Sequence, residues 1–290
     1  MADIKIIVDS GSDIPQEIAD KYNIGVISFL SLFGEEQYVQ RVDITNEEFY
    51  DKLETFDGFP TTSQTPYGDM YDYFAAQCSE NKSVIYFALS SAASGQYQTA
   101  NLVKNEILEE NPDADFHIVD TQTFSLYIAQ TAVHAAQMAQ EGRSVDEIIA
   151  ECEEYIKKWR AYLLVDTLKY LEKGGRLSKA AAFVGTMLDI KPILTIEHGL
   201  VENMDKLRGK KKLLDKLIEK IQDDPDFDAD NPKFLVVQSD EEKGEAAMEK
   251  LRDEFGEDCI EMYGEFGPLI GTHVGRGAIA IIPRIKYIIV

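Results

Sequence analysis

Four short segments hold most of the residues whose types and spacing could do chemistry. Pro60-Thr61-Thr62-Ser63-Gln64-Thr65-Pro66 sets three hydroxyls in a row just ahead of a helical pattern that begins near Gly68. Leu89-Ser90-Ser91-Ala92-Ala93-Ser94-Gly95-Gln96-Tyr97 follows an apolar run and opens another helical pattern. Hydroxyls at a helix start can cap the free N–H groups of the first turn. With those same N–H groups they can also receive a carboxylate or phosphate. Both uses are open for Thr61–Ser63, and Ser94 alone reads as an N-cap. Two such clusters after separate strands of an α/β unit read together as one anion-binding crevice beyond the strand ends.

The third segment, Gly174-Gly175-Arg176-Leu177-Ser178-Lys179, has the form of a glycine pair ending one helix and a serine capping the next. Arg176 is its candidate partner for an acidic group. The fourth, Ile270-Gly271-Thr272-His273-Val274-Gly275-Arg276-Gly277, reads as a glycine-dense turn presenting His273. The other histidines have structural readings: His117 lies in a predicted strand, His134 in a helix and His198 in a hairpin turn. Ser94, His273 and Asp9 also allow a serine esterase or thioesterase, with Ser94 as nucleophile, His273 as base and Asp9 as orienter. That alternative lacks a GxSxG elbow around Ser94. A GxxxxGK[ST] phosphate loop is absent too, so ATP chemistry needs a partner or an unrecognised site.

The elements that must position these residues alternate. Ile4–Val8 is an apolar strand running into Asp9-Ser10-Gly11-Ser12-Asp13, where Asp13 and Gln16 have capping-box spacing and Pro15 suits a first helical turn. Strands follow at Gly25–Leu32, Ser83–Leu89 and Phe116–Val119, separated by helical patterns at Asn46–Leu53, Gly68–Ser79, Gly95–Glu110 and Ser125–Glu141. Such alternation predicts a parallel α/β layer. After a helix at Val145–Lys157 the pattern changes. Arg160–Val165 reads as a strand, Thr167–Leu171 and Lys179–Met187 as helices, and Ile193–Glu197 with Leu200–Met204 as a hairpin turning at His198-Gly199. The helix Lys211–Gln222, the strand Phe234–Gln238, the helix Glu242–Phe255 and strands near Cys259–Glu265 and Ala278–Pro283 complete the chain.

A length of 290 residues with 44% hydrophobic content implies two domains, expected at 1–158 and 159–290. With 29 basic against 52 acidic residues, the net charge of -23 disfavours nucleic acid and anionic membranes as partners. Cys78, Cys152 and Cys259 are too scattered for a disulfide framework or a zinc site and read as reduced thiols. No leader pattern and no run near eighteen apolar residues occurs, so a cytoplasmic protein without stable membrane insertion is expected. The acidic stretch Asp223–Asn231 shares only composition with a calcium loop and reads as a solvated turn.

Taken in order, Thr-Ser-Gln (62–64), Ser-Ser-x-x-Ser-Gly (90–95), Gly-Gly-Arg-x-Ser-Lys (174–179), Lys-Pro-Ile-Leu (191–194) and Gly-Thr-His-x-Gly (271–275) form a set that resembles the DegV family. That family is typified by the fatty-acid-binding subunits of bacterial fatty acid kinases, and the resemblance runs from the first strand to about Ile281. It implies two α/β domains, an N-terminal one with a parallel sheet and a C-terminal one with a mixed sheet, and a lipid tunnel at their junction. It further implies a non-catalytic subunit without cofactor, which buries one long-chain fatty acid and presents its carboxylate to a partner kinase for acyl-phosphate formation. Carried over, the carboxylate-binding positions fall on Thr62, Ser94 and His273, with Ser63, Gly95 and Thr272 as neighbours. Arg176 and Arg276, read from their own turns, are candidate head-group or partner contacts. Two departures stand out: Gln64-Thr65-Pro66 where Gln-Pro-Ser is common, and Arg276 where a proline is common. The basic residues Lys206, Arg208, Lys210, Lys211, Lys212 and Lys216 read as a solvated helix start or, by the resemblance, as a docking patch for an acidic kinase surface.

Overall fold

A computed structural model describes residues 4–178, 190–209 and 212–286. Strand β1 (Ile4–Asp9) shows how the core is divided. Successive side chains of a strand point to opposite faces, so Ile6 and Val8 enter one apolar cluster and Ile7 enters another. A short 3-10 turn (Ser10–Ser12) leads to helix α1 (Gln16–Lys21), β2 (Gly25–Ile27), β3 (Leu30–Phe33), β4 (Glu36–Val39), α2 (Asn46–Thr55), β5 (Thr61–Ser63) and α3 (Tyr67–Glu80). Next come β6 (Ser83–Ala88), α4 (Gln96–Glu110), β7 (Asp115–Asp120), α5 (Leu126–Gln140) and α6 (Val145–Tyr155). The remainder contains β8 (Tyr162–Leu164), α7 (Lys169–Gly174), β9 (Ile190–Glu197), β10 (Leu200–Arg208), α8 (Leu213–Gln222), β11 (Phe234–Gln238), α9 (Glu241–Phe255), β12 (Ile260–Glu265), α10 (Pro268–Val274) and β13 (Ile279–Pro283).

These strands build the expected α/β architecture: a parallel sheet in the order β2-β1-β6-β7, and a mixed sheet in the order β10-β9-β8-β13-β11-β12. Among the described residues of the mixed sheet, β11 and β12 are the one strand pair that runs parallel. Helix α5 is apolar nearly all round and packs between the sheets, sharing one cluster with Val8 and Phe87 of the first sheet and Leu163, Leu194, Leu235 and Val237 of the second. The outer face of the parallel sheet is covered by α3 and α4 through Met70, Phe74, Ala100 and Val103. The outer face of the mixed sheet is covered by α8 and α9 through Leu217, Ile221, Ala247 and Leu251.

Several local expectations are corrected. The predicted strand Gly25–Leu32 breaks in the middle because side chains take the backbone groups that a continuous strand would use. Ser10 Oγ accepts from the Phe29 N–H at 3.1 Å, and the Thr65 hydroxyl donates to the Ser28 carbonyl at 2.8 Å. Beyond the break, β3 joins β4 and β5 in a small antiparallel sheet, with Ser31 opposite Thr62. Asp13 and Gln16 form no capping box. Helix α1 starts after Pro15 without a side-chain cap, because the Asp13 carboxylate is engaged elsewhere, by the Gly267 N–H at 2.9 Å and the Ser125 hydroxyl at 2.5 Å. The turn expected at Ile270–Gly277 is mostly helix: Pro268 presets the first turn of α10, and Gly275, at φ 72°, ends it. The hairpin does turn at His198-Gly199, but its strands are longer than predicted. The helix predicted at Lys179–Met187 lies outside the described residues.

Candidate functional site

The four motifs meet where the parallel strands end. Phe29, Thr62, Leu89, Ala93, Ser94, Phe124, Arg176, Leu269, Ile270 and His273 line one cavity of about 40 Å³. It sits beyond the carboxyl ends of the strands, beside the place where the chain order reverses between β1 and β6, which is where open α/β sheets receive ligands. Gly11, in the turn after β1, allows the close approach of the walls: a Cβ there would stand 2.4 Å from Leu89 Cδ1 and 2.6 Å from Leu269 Cδ2.

Each wall residue is held by local chemistry. Thr62 lies on β5 in an antiparallel ladder with β3, and α3 begins after Pro66 with no side-chain cap. The hydroxyls of Thr61–Ser63 are therefore not helix caps. Thr65 explains the departure from the family pattern at this turn. Its N–H and hydroxyl form a reciprocal pair with the buried Gln96 side chain, at 3.1 and 3.0 Å, which ties the β5–α3 loop to the start of α4.

The Ser90–Gly95 loop is pinned at its start. Asp9 accepts from the Leu89 N–H at 2.8 Å and the Tyr86 hydroxyl at 2.9 Å, while Ser90 Oγ donates to the Gly199 carbonyl of the β9–β10 turn at 2.8 Å. Ser94 is not the cap of α4, a position that Gly95 takes without a side-chain cap; its Oγ accepts from the Gln96 N–H at 3.2 Å one residue ahead of the cap while it lines the cavity. Burial raises the Asp9 carboxyl to about 6 despite these three hydrogen bonds, the third from the Gly11 N–H.

His273 occupies the last turn of α10 and is half-buried, its Nδ1 shut off from solvent with no hydrogen-bond partner. A Cβ at Gly174 would stand 2.1 Å from that nitrogen, so the glycine of the third motif is what admits the ring. Burial, and then the neighbouring Arg176 charge, lower His273 to about 4, so its ring is neutral at pH 7. Arg176 is braced by the Ala93 carbonyl at 2.9 Å and by the Gly174 carbonyl, which joins the second and third motifs. Gly175, at φ 68°, ends α7 as the glycine pair predicted.

Not every predicted residue reaches the cavity. Ser63, Gly95 and Thr272 are neighbours rather than wall residues, and the Thr272 hydroxyl donates to the Pro268 carbonyl of its own helix at 2.8 Å. Arg276 is drawn away to Glu54 at 2.6 Å and Asp51 at 3.7 Å, over the ring of Tyr50. Lys206 and Arg208 stand at the end of β10 and Lys212 precedes α8, while Lys210 and Lys211 lie outside the described residues. The apolar wall residues Phe29 and Phe124 were not singled out by sequence, because Phe29 reads as part of the strand Gly25–Leu32, which breaks there, and Phe124 sits in the loop ahead of α5.

The hydrolase alternative is not assembled. No hydrogen bond joins Ser94 to His273 among the described residues, and Asp9 is occupied by Gly11, Leu89 and Tyr86 instead of orienting the imidazole. Carboxylates of the acidic stretch Asp223–Asn231 pair with cations: Arg160 with Asp224 and Asp226, Arg284 with Asp228, and Lys286 with Asp230. Among the described residues no group of three or more His, Cys, Asp or Glu side chains could hold a metal ion. No helix among them is long and apolar enough to cross a membrane.

A family model described as uncharacterised protein, DegV family, matches residues 3–284. The chain is 34% identical over 278 residues to a DegV domain-containing protein of Clostridium perfringens, covering 96% of this chain and 97% of the relative. Among solved structures, DegV from Bacillus subtilis, described as a fatty acid binding protein, superposes with a TM-score of 0.85 at 30% identity, covering 99% of this chain and 100% of that one. A DegV family protein from Thermus thermophilus, whose structure is described by its fatty acid binding, gives a TM-score of 0.85 at 26% identity, with 97% and 99% covered.

Proposed function

The chain belongs to the DegV family, and from that premise we propose that it binds one long-chain fatty acid and presents the carboxylate to a partner kinase for acyl-phosphate formation. The observation that carries the reading is one cavity walled by His273, Thr62, Ser94 and Arg176, with the imidazole neutral. A carboxylate suits this wall, because it is an acceptor with room for several donors. The neutral imidazole N–H, the two hydroxyls and the adjacent guanidinium charge supply them.

The apolar part of the ligand meets Phe29, Leu89, Phe124, Leu269 and Ile270. The cavity has room for a water-sized group or two, so an acyl chain enters by parting these side chains. Burying it stabilises the complex by about 0.8 kcal/mol per CH₂, on the order of 11 kcal/mol for sixteen carbons before ordering costs. Phosphoryl transfer falls to the partner, whose acidic surface meets Lys206, Arg208, Lys210, Lys211 and Lys212. Three free thiols fit a bacterial cytoplasm as the place where this occurs.

Calorimetric titration of delipidated protein tests the head-group assignment. Saturation near one equivalent of fatty acid is expected, with a Thr62→Ala/His273→Ala variant roughly tenfold or more weaker, the scale of losing hydrogen bonds to a charged group. Equal affinity in the variant would remove these residues from the site.

A further inference from the structure

A single carboxylate, far from the cavity in sequence, joins the two halves of the site. Asp13 is buried at 5% exposure and stands between the starts of two helices. Its Oδ1 accepts from the N–H of Gly267, the residue that precedes α10, at 2.9 Å. Its Oδ2 accepts from the hydroxyl of Ser125, the residue that precedes α5, at 2.5 Å. Both residues of the second contact are in left-handed backbone conformations, Asp13 at φ 51° and Ser125 at φ 58° with ψ −143°. A serine there is strained, and such strain persists only where the surroundings over-determine it. Here the Ser125 N–H donates to the Gly11 carbonyl at 2.7 Å while its hydroxyl is held by Asp13.

Phe124, next to Ser125, is in the cavity wall, and so are Leu269, Ile270 and His273 on α10. We infer that Asp13 is a positioning residue that clasps α10 by its N-terminus and α5 by its strained lead-in, so that His273 meets Thr62 and Ser94 in one cavity. The inference rests on the fatty-acid reading only for its consequence in binding, since the clasp itself is a feature of the chain alone.

Other contacts act beside the clasp. Tyr50 donates to the Phe266 carbonyl at 2.8 Å and Asn46 to Glu265 at 2.9 Å, which fixes the strand end before α10, and Gly271 against Phe49 and Tyr50 with Leu269 and Val274 in the core seats the helix body, so that Asp13 acts on its start. Arg41 is committed to the Ile14 carbonyl and to Gln16, so no cation among the described residues pairs directly with Asp13. Burial pushes the Asp13 carboxyl up to about 8, so at neutral pH it is mostly protonated and clasps through hydrogen bonds, which an amide can keep, more than through charge.

The test uses the full chain and reads His273 directly. Imidazole titration by NMR is compared in wild type, Asp13→Ala and Asp13→Asn, alongside the affinity for a fatty acid and for the fatty alcohol of equal length. In Asp13→Ala, His273 is expected to titrate at least about one pH unit higher, as the ring gains access to water. Fatty-acid affinity is expected to fall roughly tenfold while alcohol affinity changes less, because the carboxylate depends on the charged hydrogen bonds. Asp13→Asn, which can still accept from Gly267 and donate to Ser125, is expected to restore most of both. An unmoved His273 titration in a folded Asp13→Ala protein would overturn the inference, as would an equal loss for acid and alcohol. Should Asp13→Ala fail to fold, Ser125→Ala removes half of the clasp, and a wild-type His273 titration in that variant would overturn the inference equally. A moved titration in a protein that binds no fatty acid would retain the clasp and reject the fatty-acid reading instead.

Discussion

At the scale of single residues the site depends on a histidine kept neutral. His273 titrates at about 4 against an ordinary 6.5, through burial first and the Arg176 charge second. The unfolded chain therefore takes up the proton first, so the stability present above pH 6.5 drains as pH falls toward 4. The loss is about 2 kcal/mol at pH 5, several degrees in melting temperature for a chain of this size. A His273→Gln variant lacks this sensitivity, so the gap between its melting temperature and that of wild type should narrow between pH 7 and pH 5; parallel curves would contradict the burial argument. That Thr62, Ser94, Arg176 and His273 come to one cavity wall was approachable from sequence because each lies in a short cluster of hydroxyls, glycines or cations. Asp13 looked like a helix cap, since its true partners are 112 and 254 residues away and nothing local marks them.

At the scale of elements, the long periodic stretches were legible and the short ones were not. Helices α3, α4, α5 and α9 fell within a residue or so of expectation, and α8 differed chiefly at a start where Lys211 lies outside the described residues. Strand β5 and helix α10 were missed because three residues carry no period and glycine density argues against helix. In both cases tertiary contacts decide: β3 supplies the ladder for β5, and the Asp13 clasp and Pro268 supply the start of α10. The basic residues at the end of β10 belong to this scale too, as a surface apart from the cavity. Under the proposed presentation to a kinase, charge reversal of Lys206 and Arg208 to Glu should leave fatty-acid affinity unchanged and slow acyl-phosphate formation by that kinase at low salt, an effect that added salt reduces. Unaltered kinase kinetics at low salt would place docking elsewhere.

Across the whole molecule, the alternation of strands and helices gave the α/β class, while the sharing of α5 between the two sheets was invisible to local patterns. One apolar cluster runs from Val8 and Phe87 through Ala129 and Ala132 to Leu235 and Val237, so the two sheets are not independent cores. We propose the domain boundary near residues 158 and 159 on the change of strand source, and expect neither half to fold alone. Residues 1–158 and 159–290 expressed separately should aggregate or bind a hydrophobic dye, and co-expression should recover a complex; two monomeric, cooperatively melting halves would contradict this.

The central claim is that the cavity beneath His273 takes a fatty acid. Protein purified from bacterial cells, extracted with organic solvent and analysed by mass spectrometry, tests it most directly when wild type is compared with Thr62→Ala/His273→Ala. Near one equivalent of free fatty acid in wild type and much less in the variant is the predicted result, and no fatty acid in a folded wild-type protein would contradict the account.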